Sequence, residues 1–115
     1  MDPTRPLQVT VEIDSPQVVV YRLWFRKPGD AQFTIFATGT DEAESSQSGH
    51  THVVGPLPAG SEIRYFFLFS GNPNTAYRAR VTAAQDGAPL PGAEADVTGT
   101  TDSGGVAGAE GEVPL

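Results

Sequence analysis

A chain of 115 residues with 38% hydrophobic content and no cysteine is sized for one domain that buries a core without disulfides or thiol chemistry. Its net charge of −7 excludes nucleic acid and anionic membrane as expected partners, since both call for basic surface. No apolar run approaches the length of a membrane span, and the opening MDPTRPLQV lacks the basic and apolar regions of a signal peptide, so the expected setting is cytoplasmic or within an assembled particle.

Residues 7–13 (LQVTVEI) alternate cleanly, with Leu7, Val9, Val11 and Ile13 on one side, which predicts a half-buried strand. Asp14-Ser15-Pro16 supplies a turn into a second strand, 17–26, which ends at Lys27-Pro28-Gly29-Asp30. Residues 31–38 form a third strand with Phe33 and Ile35 expected inward. The polar stretch 39–49 reads as a loop, and 50–55 as a short strand. Pro56-Leu57-Pro58-Ala59-Gly60 turns the chain into strand 61–70. Gly71-Asn72-Pro73-Asn74 then predicts a hairpin with strand 75–84. Short strands at this spacing, with Gly/Pro turns and no amphipathic helix, predict an all-β antiparallel sandwich.

Three of these strands carry a two-sided pattern, because side chains alternate between the faces of a sheet. One set is apolar: Val19, Tyr21, Leu23 and Phe25, then Ile63, Tyr65, Phe67 and Phe69, then Tyr77, Ala79 and Val81. This is the expected core. The other set mixes arginine with bulky apolar groups: Arg22, Trp24, Arg26, Arg64, Phe66, Leu68, Arg78 and Arg80. Arg and aromatic residues are enriched in interface cores, so this set is the candidate interface.

From Thr82 onward there is no Lys, Arg or aromatic residue, while six carboxylates and about half the glycines lie there. The chain therefore divides into a body, 1–85, and an acidic glycine-rich C-terminal arm, 86–115. The arm has too little apolar surface to fold alone. It is expected to lie extended, with one or two short strands near 93–98, along a sheet edge or the arginines, and to be removable without unfolding the body.

The run from His52 through Leu57, Pro58, Gly60 and Tyr65 resembles the corner of immunoglobulin-like and fibronectin type III-like domains, as does Trp24 early in the chain. The resemblance covers residues 7–84 and implies that a tyrosine pins the corner by a hydrogen bond. In the arm, Gly87-Ala88-Pro89-Leu90-Pro91-Gly92-Ala93, Val97-Thr98-Gly99 and Thr101-Asp102-Ser103-Gly104-Gly105 resemble part of a transthyretin-like or Cna-B-like domain.

Chemistry is sparse. His50 and His52 stand two apart, so on a strand they point the same way. With Asp41, Glu42 or Glu44 they are the only candidate metal ligands, a spacing too unspecific to assign a metal. The acidic loop lacks the Asp/Asn-Gly order of a calcium site. There is no Gly-x-Ser-x-Gly elbow and no evident nucleophile–base set. The expectation is a noncatalytic structural or adaptor module without cofactor, meeting a protein partner or further copies of itself. The alternative is a carbohydrate-binding module that uses Trp24, Tyr21 or Tyr77 as an exposed platform.

Overall fold

The period-two alternation produces eight strands and no helix in the computed structural model, which describes residues 1–41 and 48–115. The strands are β1 (Leu7–Asp14), β2 (Val18–Arg26), β3 (Thr34–Asp41), β4 (Ser48–Val54), β5 (Glu62–Ser70), β6 (Ala76–Gln85), β7 (Ala88–Thr100) and β8 (Val106–Pro114). They form two antiparallel sheets ordered β4-β1-β6-β7 and β3-β2-β5-β8, packed as a sandwich.

The core follows the expected phase. Val19, Tyr21, Leu23, Ile63, Tyr65, Phe67 and Phe69 of one sheet are buried, with Leu7, Val9, Val11, Ile13, Ala79 and Val81 facing them from the other. Phe25 and Tyr77 are half-buried and pack against this cluster. Ile35 departs from its expected inward position and is 49% exposed. The register explains it: Leu23 pairs with Ala37 but Trp24 pairs with Ile35, so Phe36 is an extra residue. Such a bulge flips the phase of everything beyond it. Phe36 takes the inward place instead, its ring 6.1 Å from that of Phe25.

The expected hairpin between strands 61–70 and 75–84 does not form. β5 pairs with β2 and β8, while β6 pairs with β1 and β7, so residues 71–75 carry the chain between sheets. The neighbouring crossover from β7 to β8 holds them there. The Gly71 amide donates to the Gly105 carbonyl at 2.8 Å and the Asn74 amide to that of Asp102 at 3.0 Å. The Thr101 hydroxyl donates to the Asn72 carbonyl at 2.6 Å. β1 and β2 also fall in opposite sheets, whereas the immunoglobulin order makes the first two strands neighbours. Tyr65 makes no side-chain hydrogen bond among the described residues, so it does not pin the Leu57–Gly60 corner. Its ring lies over Gly111 instead.

Residues 86–115 enter the fold as β7 and β8, an outer strand on each sheet. The reason lies in cross-strand volume. On the inner face Ile63, Tyr65, Phe67 and Phe69 of β5 stand opposite Val113, Gly111, Ala109 and Ala107 of β8. Large side chains on the central strand leave room only for small ones beside them. The segment is poor in apolar mass because its neighbours already supply it.

All three tyrosines follow this rule. Tyr21 lies over Gly39, Tyr77 over Gly99 and Tyr65 over Gly111, each the residue directly across the ladder on an outer strand. A Cβ at any of the three would overlap the tyrosine side chain.

Candidate interaction face

The candidate interface residues divide between the two outer surfaces of the sandwich. Arg22, Trp24, Arg26, Arg64, Phe66 and Leu68 share the outer face of β3-β2-β5-β8, whereas Arg78 and Arg80 lie on the outer face of β4-β1-β6-β7. One alternation phase runs through all three strands, but β6 belongs to the other sheet, so its outward side points the opposite way.

Arg78 and Arg80 are matched within the chain. Arg78 makes a bidentate pair with Asp96, at 3.0 and 2.8 Å, and Arg80 meets Glu94 at 2.7 Å. Hydrogen bonds to these carboxylates, then their charge, raise both guanidinium pKa values, and the bond from Arg78 holds Asp96 below the usual carboxylate range. Each pair is exposed and screened by solvent, so it adds little to stability. They fix charge register along β6–β7 and leave no free cation on that face among the described residues.

The β3-β2-β5-β8 face is different in kind. Five of the seven strongly exposed large apolar residues among the described residues sit here: Val18, Val20, Ile35, Leu68 and Val106. The ladders arrange the outward side chains in rows. Val20, Leu68 and Gly108 form one row, Arg22, Phe66 and Glu110 the next, and Trp24, Arg64 and Glu112 the third. Arg26 and Glu62 close the end, 3.1 Å apart. Arg64 donates to Glu110 at 3.2 Å, and its guanidinium stands 5.7 Å from the Trp24 ring and 5.5 Å from that of Phe33. Arg26 lies 4.4 Å over Phe33. These contacts fix the arginine planes and cover the Trp24 ring. A hydrogen bond between Glu62 and Glu112 lowers the pKa of the first and raises that of the second. Among the described residues Arg22 and Lys27 are the cations with no ion pair. Of the two, Arg22 lies inside the apolar field. Phe33, Val18, Val20 and Val106 complete the face and were not expected there. Their signal was the outward phase of Val18 and Val20, which propensity alone does not distinguish from core.

The histidines lie elsewhere, where β3 and β4 end the two sheets on the same side. His50 and His52 point inward from β4, and the His50 Nε2 is 2.9 Å from Asp41 Oδ2. The Tyr21 hydroxyl is 2.6 Å from His52 Nε2. Asp41 is 5% exposed. Burial, then the neighbouring His50, pushes the His52 pKa below its ordinary 6.5. Burial, then the charge of Asp41, raises that of Tyr21. Both effects favour a neutral imidazole accepting from a protonated phenol, which closes this margin of the sandwich. No group of three metal-ligand side chains assembles among the described residues. Glu42 and Glu44 lie outside them. Tyr21 and Tyr77 face the interior, so neither offers an exposed sugar platform.

Because the folded pKa of His52 lies below the unfolded one, its contribution to stability is present above pH 6.5 and is lost as pH falls through the folded value. Thermal melts between about pH 7 and pH 5 should show a steeper loss for the native chain than for His52→Gln. Parallel curves for the two proteins would refute this role. No protein-family model matches the chain, and no curated protein or solved structure matches it either.

Proposed function

We propose that this domain is a noncatalytic structural or adaptor module that joins a larger assembly by covering the outer face of β3-β2-β5-β8 with another protein. The observation that carries the reading is the contrast between its two outer surfaces. One is closed by internal ion pairs. The other gathers Val18, Val20, Ile35, Leu68 and Val106 around half-buried Trp24 and Phe66, with Arg22 left unmatched among the described residues. Contiguous exposed apolar surface rimmed by polar groups marks an interaction site. Aromatic and arginine anchors inside it are the usual sources of binding energy. In this reading the acidic C-terminal segment serves the interface through Glu110 and Glu112 on β8. The immunoglobulin-like character is that of two packed antiparallel sheets.

A photo-crosslinking residue at position 68, introduced in the cells that make the protein, should form adducts with protein. The same residue at position 98, on the opposite face, should not. Equal yields at the two positions, or none at 68, overturn the proposal. Glycan binding that Trp24→Ala abolishes would do the same in favour of the carbohydrate reading.

A further inference from the structure

We infer that the occupant of this face is a second copy of the chain, packed face to face about a two-fold axis that runs along β5. The inference rests on the proposed docking role of the face and adds the partner and its register.

The argument is the charge order of the rows. A two-fold interface must be self-complementary, with each residue meeting its symmetry-related counterpart. An axis along β5 exchanges the strands on either side of it, so β2 of one copy covers β8 of the other. In the central row, Arg22 and Glu110 flank Phe66 on these two strands. Arg22 of one copy therefore meets Glu110 of the other, twice, across a Phe66–Phe66 contact on the axis. In the adjoining row Leu68 meets Leu68, and Val20 meets Gly108, whose missing side chain leaves a hollow for the valine. At the far end Val18 meets Val106, both more than 40% exposed in the single chain. Arg64 falls on the axis, but its own Glu110 and the Trp24 ring already hold its charge.

The alternative axis, across the strands, does worse. It lays β8 on β8 and brings Glu110 and Glu112 of one copy against those of the other. It also lays β2 on β2, so that Arg22 approaches its own symmetry mate. Only the axis along β5 converts the unmatched cation into a pair. Twisted sheets pack aligned, about 30° apart and roughly 10 Å from each other, which this axis permits by tilting each β5 half that angle.

The test is a charge swap on the full chain, read by sedimentation equilibrium. The native protein should be dimeric. Arg22→Glu and Glu110→Arg should each weaken the dimer by about 100-fold, because like charges then meet across the axis. The double variant Arg22→Glu/Glu110→Arg should recover most of that loss. Both positions are exposed, so circular dichroism should show every variant folded. Leu68→Asp, which leaves Arg22 and Glu110 in place but sets two carboxylates against each other on the axis, should also be monomeric. A native protein that stays monomeric to about 1 mM, a dimer that survives the single reversals, or a double variant no better than the singles overturns the inference. If that occurs while the residue at position 68 still crosslinks to a different protein, the module reading stands and only the second copy falls.

Discussion

Removing residues 86–115 is expected to unfold the domain rather than trim it. The deletion takes one outer strand from each sheet. β7 brings Ala93 into the core and β8 brings Val113, with relative exposures of 3% and 1%. It also uncovers one edge of β5 and one of β6, the strands that carry Tyr65, Phe67, Phe69 and Val81. Each sizeable apolar side chain so exposed costs about 1.5–3 kcal/mol. A few such losses equal the whole stability of a domain this size, about 5–15 kcal/mol. The open ladders would in addition recruit other chains. The truncated protein should be aggregated or lack cooperative melting. A soluble 1–85 fragment with a sharp thermal transition would show instead that the body stands alone.

Gly39→Ala should be strongly destabilising although it adds a single methyl. Gly39 has no unusual backbone angle, so the cost is one of space alone. The added carbon would overlap the Tyr21 ring. That ring cannot swing away, since it is 2% exposed, hydrogen-bonded to His52 and packed 6.2 Å from the ring of Phe67. Overpacking of this kind costs about 1–3 kcal/mol, and the upper end is expected here. Gly111→Ala should cost less, because its first contact is the hydroxyl end of Tyr65, which no side-chain hydrogen bond holds among the described residues. Gly49→Ala, with open space around it, should be neutral or slightly stabilising. Denaturant titrations of the three variants would rank them. The Gly39 penalty should shrink in a Tyr21→Leu background, because neighbouring sites are not additive. Equal costs at positions 39 and 49 would remove the steric argument.

The inward phase of β1, β2, β5 and β6 was legible in the residues, because a period of two across a half-buried sheet leaves a direct imprint on apolar order. So was the shared direction of His50 and His52. The arginines were visible too, but not their division. Alternation says which residues of one strand lie together and nothing about which sheet the strand joins. That β6 joins β1 and β7 rather than β5 is decided by the two crossovers bonded to each other through Gly71, Asn74, Thr101 and Asp102. Those contacts link residues about 30 apart in the chain. Ile35 was misplaced for a similar reason, since a bulge is a property of a pair of strands.

The C-terminal segment shows the limit most plainly. Local composition measures how much apolar mass a segment brings, and residues 86–115 bring little. Whether such a segment orders depends on what its neighbours bring. Beside the tyrosines and phenylalanines of β5 and β6, alanine and glycine are the residues that fit. Composition and alternation thus settle an all-β chain with a known inward face. Strand order, the separation of the arginines onto two surfaces, and the folding of the acidic segment as β7 and β8 arise from long-range backbone pairing and from volumes shared across strands, which no short stretch of residues encodes.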